Sequence, residues 1–136
     1  MKISRNKFLL ILFIFGVLSS IGILLLGKNN NNNYINEVSS NVYEEDGKQI
    51  IEVTAKGGYF PKSIIASADK PTILRMKSED AYGCERSFRI PKLNISETLP
   101  ANGNTDFDLG TQSSGSKVTG TCSMGMYTFV INFSWF

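Results

Sequence analysis

The chain has 136 residues, 42% hydrophobic and 19% charged, with two cysteines, four methionines and no histidine. That length suits one domain of ordinary size and excludes a two-domain enzyme. Without histidine there is no Ser-His-Asp triad, no Cys-His pair and no metal centre built on imidazole, and two cysteines are too few for a Cys₄ zinc or iron–sulfur site.

The net charge of +2 is unevenly placed. Residues 1–28 hold Lys2, Arg5, Lys7 and Lys28 and no acid, while the remainder sets ten basic residues against twelve acidic ones. The rest of the chain has no basic run, which argues against nucleic acid as a partner. With acid–base catalysis short of its usual groups, we expect a binding protein and no enzyme.

Residues 1–7 read as a basic cytoplasmic flank. Residues 8–27, FLLILFIFGVLSSIGILLLG, form an uncharged apolar run. Twenty helical residues span about 30 Å, the thickness of a bilayer's hydrocarbon core. We expect a single-pass transmembrane anchor in the cell membrane, with the C-terminal domain extracellular because the basic flank stays inside. The rival is a cleaved signal peptide, whose apolar region runs about 7–15 residues. Ser20-Ile21-Gly22 offers a cleavage site, but Ile23-Leu24-Leu25-Leu26 carries the run past it. No cysteine follows the run to carry a lipid anchor. Residues 28–43, with five asparagines from Asn29 to Asn33, read as a flexible linker. A linker of this length reaches about 20–25 Å.

Residues 44–136 read as the folded domain. Short β-branched or alternating runs predict strands at Gln49–Ala55, Ser63–Ala68, Pro71–Lys77, Arg86–Ile90, Thr105–Leu109, Ser116–Cys122 and Tyr127–Phe133. Gly57-Gly58, the polar break 79–83 and Pro100–Asn104 predict turns. No segment of the domain sustains a helical period. Seven strands in this length predict a small antiparallel sandwich.

The chemistry lies in Thr121-Cys122-Ser123-Met124-Gly125-Met126, where three sulfur side chains occupy alternate positions. An extended segment would put all three on one face. A tight loop would use Ser123 and Gly125 as its small residues. Cys84, after Gly83 in the polar break, is the second cysteine. Two thiolates and two thioethers select soft Cu(I) over oxygen-loving cations. Each feature also has a plainer reading. Methionines fill cores. A cysteine pair outside the cytoplasm is normally a disulfide, and Cys84–Cys122 would contribute about 3–4 kcal/mol in the chain-entropy model.

Six pieces stand in order between Gly57 and Ile131: Gly58-Tyr59-Phe60-Pro61-Lys62-Ser63-Ile64, Lys70-Pro71-Thr72, Gly83-Cys84, Arg89-Ile90-Pro91, Thr98-Leu99-Pro100 and Thr121–Met126. On these residues the chain resembles the cupredoxin-like domains found beside bacterial copper exporters. With its apolar N-terminal run, the chain is similar to the small membrane-anchored cell-surface copper(I) chaperones of Gram-positive copper-efflux systems. The resemblance implies an all-β, cupredoxin-like Greek-key β-sandwich. Cys84 then stands where a blue-copper protein has its first histidine, and Cys122 at the thiolate ligand. Met124 and Met126 occupy the ligand loop. In that family such a set is associated with two Cu(I) ions bridged by the two thiolates, with one thioether capping each, and for this chain we expect Cu(I), one or two ions. The implied function is to sequester Cu(I) and pass it by ligand exchange to a copper-exporting P-type ATPase. Gly120 departs from the family pattern, which places a larger residue there.

Three alternatives remain open. One is a disulfide-stapled extracellular β-sandwich that binds a partner with no metal. Another is an electron-transfer cupredoxin, against which the missing histidines weigh. The third is a hydrolase using Asp106 and Asp108, which alternate along one strand. Acids at that spacing are more often a solvated strand face.

Overall fold

Period-two alternation builds both sheets. The computed structural model describes residues 39–136. The apolar run 8–27 and linker residues 28–38 lie outside them.

The first sheet holds β1 (Val42–Glu45), β2 (Lys48–Ala55), β3 (Tyr59–Phe60), β5 (Pro71–Ser78) and β8 (Gly103–Thr111). Its order is β1-β2-β5-β8, with β3 paired to β2. The second holds β4 (Ser63–Ser67), β6 (Ser87–Ile90), β7 (Ile95–Thr98), β9 (Lys117–Cys122) and β10 (Thr128–Ser134). Its order is β4-β10-β9-β6-β7. Single 3₁₀ turns, Cys84–Arg86 and Pro91–Leu93, flank β6.

Every second residue of the long strands faces the core. Ile51, Val53, Leu74 and Met76 come from the first sheet. Ile64, Phe88, Val118, Phe129, Ile131 and Phe133 meet them from the second. Each such side chain, fully buried, contributes about 1.5–3 kcal/mol. Gln49 is buried at the far end from Cys122. It donates to the Ser67 carbonyl and Thr72 Oγ1, both at 3.0 Å, and accepts from the Ser67 N–H at 2.8 Å. All of its strong polar atoms are thus engaged across the gap between the sheets.

The sandwich is mixed and not antiparallel throughout. β2 pairs β5 in parallel, and so does β4 with β10. A parallel pair needs a crossover. Here the chain leaves β2 through β3, runs along β4 in the other sheet, and returns as β5.

All seven predicted strands are present, with ends shifted by one or two residues. Three more appear. β1 opens at Val42, inside the stretch that composition assigned to the linker. It joins β2 through Asp46-Gly47, both at positive φ (50° and 74°). The register pairs Glu45 with Lys48, so the hairpin has a two-residue turn. Chain order extends to Ser39, whose N–H donates to the Ile65 carbonyl at 3.0 Å and whose Oγ accepts from the Ile65 N–H at 2.8 Å. β3 is two residues long, and β7 is a mostly exposed edge strand.

Candidate metal centre

Cys122 is the last inward-facing residue of β9, after Val118 and Gly120, and is 1% exposed. Its cross-strand partner is Phe88 on β6. The chain then turns tightly back to β10. The Ser123 N–H donates to the Ser87 carbonyl at 2.8 Å, and the Gly125 N–H to the Cys122 carbonyl at 2.9 Å. Cys122 N–H reaches the Tyr127 carbonyl at 3.0 Å, while Tyr127 N–H points at Cys122 Sγ at 3.4 Å. Gly125 sits at φ 70°, a conformation that disfavours side chains with a Cβ. Of the two sequence expectations for this segment, the structure takes the tight loop. Met124 and Met126 are therefore not on one strand face with Cys122. They stand out from the loop, 74% and 62% exposed.

Cys84 opens the 3₁₀ turn before β6 and is half-buried. Its thiol lies beside that of Cys122, and both are free. Their proximity splits their acidities. The bond with the Cys122 sulfur, then partial burial, pushes the Cys84 thiol up, against a smaller opposing pull from the Met124 N–H. Burial alone would also raise Cys122. It is outweighed by the Cys84 thiol and by the backbone N–H groups of Tyr127, Met124 and Met126, so Cys122 falls below the usual thiol range. The loop thus aims its N–H groups at one sulfur and favours its thiolate.

An aromatic floor lies beneath. Tyr59 packs edge-on against Phe88, Phe129 and Tyr127, at ring-centroid distances of 5.8, 5.6 and 6.3 Å. Phe88 and Phe129 stack at 6.1 Å. Gly120 belongs to this floor. A Cβ there would meet two Phe129 ring carbons at 2.3 Å and one of Phe88 at 2.9 Å. Phe129, its cross-strand partner, fills the space that a larger residue would take.

Glu85 was not singled out by the sequence reading. It is a buried carboxylate, 3% exposed. Oε1 accepts N–H bonds from Tyr82 (3.1 Å), Gly83 (3.2 Å) and Gly57 (3.3 Å). Burial opposes its charge, but these donors, with its own backbone N–H, hold it below the usual carboxylate range. Its carbonyl accepts the Tyr59 hydroxyl at 2.8 Å. Burial first, and then the neighbouring thiols and Glu85, push the Tyr59 phenol far up, so it stays a donor. In sequence Glu85 lies just past the polar break 79–83 and beside Arg86, where an acid reads as solvated.

The four sulfur residues therefore gather at one end of the sandwich, with the cysteines side by side and the methionines on the loop beside them. The methionines are not core filler. Of the aromatics that the sequence places near these sulfurs, Phe129 is buried in the core and Tyr127 is half-buried on Tyr59, whereas Tyr82 is exposed. Asp106 and Asp108 do not converge on a common site. Asp106 makes a two-pronged pair with Arg75 at 2.8 and 2.9 Å, and Asp108 accepts from the Gly110 N–H at 2.7 Å. Among the described residues no group of three or more His, Cys, Asp or Glu side chains could hold a metal. The sulfur donors at this end are two thiols and two thioethers, a set whose chemistry fits Cu(I).

A search of curated protein sequences finds no match. Among solved structures, the fold is similar to the metal-binding domain of the Cu(I)-exporting P-type ATPase CopA of Streptococcus pneumoniae D39, in a crystal structure with Cu(I). That likeness has a TM-score of 0.60 and 20% identity, over 68% of this chain and 91% of the other. It is also similar to a copper-binding protein in the apo form, a solution structure, with a TM-score of 0.60 and 21% identity over 68% and 93% of the two chains. At these identities the likeness speaks to fold. The family model of the cupredoxin-like domain matches residues 16–131, most of the sequence. Two stacked sheets of this topology, together with that match, make the chain a member of the cupredoxin-like domain family.

Proposed function

We propose that this chain binds Cu(I) outside the cytoplasm through Cys84, Cys122, Met124 and Met126 and hands it to a membrane copper exporter. The observation that carries the reading is the pair of neighbouring free thiols beside a loop with two solvent-exposed methionines. An exposed thioether gains nothing from burial, whereas a soft ion gives it a role. The similar structures of a copper exporter's domain and a copper-binding protein support the same reading.

The roles divide by burial. Cys122, the more acidic thiol of the pair, supplies the inner anchor. Cys84 gives up its proton on binding and supplies the second thiolate. Met124 and Met126 are weaker neutral ligands at the solvent edge. There an incoming thiol or thioether displaces them first, so one or two ions pass by ligand exchange without release. Residues 8–27 hold the domain at the outer face of the cell membrane, and the linker keeps it near an exporter in that membrane.

The test is transfer. The full chain in detergent is loaded with Cu(I) without oxygen and mixed with the copper-free metal-binding domain of a Cu(I)-exporting P-type ATPase. Copper should reach that domain faster than it reaches a small chelator of equal affinity, and Met126→Ala should narrow the difference. Equal rates to both acceptors would mean release of free ion and would refute hand-off. Failure of the reduced chain to load would leave the disulfide-stapled binding module as the better reading.

A further inference from the structure

Glu85 is a buried charge that the ligand set does not use. Removing a carboxylate from water is costly unless hydrogen bonds replace the lost hydration. Here they come wholly from backbone, and from two separate parts of the chain. Tyr82 and Gly83 belong to the loop that carries Cys84, and Gly57 belongs to the turn after β2. One oxygen thus ties the cysteine loop to the first sheet. The Tyr59 hydroxyl, reaching from β3 to the Glu85 carbonyl, ties the same turn a second time. The other oxygen, Oε2, lies only 2.6 Å from where a Cβ on residue 83 would stand, so the glycine before Cys84 makes room for this carboxylate. Gly83 has an ordinary extended backbone, so the need for glycine comes from this contact and not from its φ of −105°.

We propose that Glu85 is the positioning residue of the thiol pair. Its carboxylate clamps the Tyr82–Cys84 loop to the Gly57 turn and so holds Cys84 against Cys122 in the arrangement that takes up Cu(I). This assignment rests on the copper reading above. Glu85 touches no copper in it and acts only through the placement of Cys84.

The test is competition for Cu(I) between a chromogenic chelator and the reduced full chain in detergent, with thermal unfolding of each variant alongside. Glu85→Ala should weaken Cu(I) binding by about tenfold or more, the usual scale for a lost ligand support. Glu85→Gln keeps an acceptor oxygen and should restore affinity to within about threefold of the parent. Because Glu85 works through Cys84, adding Glu85→Ala to Cys84→Ser should weaken binding no further. Gly83→Ala retains the carboxylate but displaces it, and should weaken binding as Glu85→Ala does. It serves as the probe should Glu85→Ala fail to fold. A parent that binds Cu(I) while Glu85→Ala or Gly83→Ala binds equally well would overturn the Glu85 assignment and leave the copper reading intact. An equal loss from Glu85→Ala with and without Cys84 would overturn it too, as the mark of a general structural role. A parent that takes up no Cu(I) would overturn both.

Discussion

Gly120→Ala should destabilise the domain although alanine has the better intrinsic strand fit. The added Cβ would lie 2.3 Å from Phe129 Cε1 and Cζ and 2.9 Å from Phe88 Cε2. Ordinary contact begins near 3.4 Å, so the Phe129 ring must retreat by about 1 Å, into a core packed without slack. It has nowhere to go. Phe88 stacks on it at 6.1 Å, Tyr59 closes its edge at 5.6 Å, and Phe88 and Phe129 are 0% and 1% exposed. Overpacking of this kind costs about 2–3 kcal/mol, which lowers the midpoint of thermal unfolding by roughly 10 °C in a domain of this size. Denaturant and thermal unfolding followed by circular dichroism measure both. The compensating change is Phe129→Leu, which removes the ring atoms in the way. Alone it destabilises, but together with Gly120→Ala the two losses should fall short of their sum by about 1–2 kcal/mol. A Gly120→Ala protein as stable as the parent, or strict additivity of the pair, would refute the packing account.

Two further outcomes follow from the same structure. Gln49→Leu should cost about 1–3 kcal/mol, because it strands the Ser67 backbone N–H and carbonyl at the closed end of the sandwich; denaturant unfolding reads the loss, and Cu(I) affinity should not move. Cu(I) binding should release protons at neutral pH, since the raised Cys84 thiol is still protonated there and must ionise to bind. Apparent affinity should therefore rise with pH, by about tenfold per pH unit for each proton released, and flatten once pH passes the Cys84 pKa. Cu(I) competition across a pH series measures the slope, and a flat profile at neutral pH would contradict the assignment of the proton to Cys84.

The long strands were legible because burial on one face writes a period of two into the sequence. Ile51, Val53, Leu74, Met76, Phe129 and Ile131 all stand where alternation puts them. The β1–β2 hairpin was legible in principle from Asp46-Gly47, but Val42–Glu45 is mostly exposed and its polar residues resemble the linker before it. β7 escaped for the same reason, as an edge strand with little burial to impose a pattern. The parallel pairings were not legible. Alternation records which face is buried and carries no record of which strand lies alongside. At the metal end, the spacing of Cys122, Met124 and Met126 pointed to a sulfur site, and the small residues between them admitted the tight loop that forms. Glu85 and Gly120 were hidden because their environments arise only when distant segments meet. An acid just past a polar break becomes buried when Gly57 closes over it, and a strand glycine becomes necessary when Phe129 lies across it.

The most direct test of the copper assignment is an oxygen-free Cu(I) titration of the reduced full chain in detergent against a competing Cu(I) chelator, with Cys84→Ser and Met126→Ala in parallel. The account predicts tight uptake of one or two ions, cut sharply by Cys84→Ser to the residual affinity of Cys122 and the methionines, and weakened less by Met126→Ala. Uptake no greater than that of an unfolded dithiol control, or full affinity in Cys84→Ser, would contradict it.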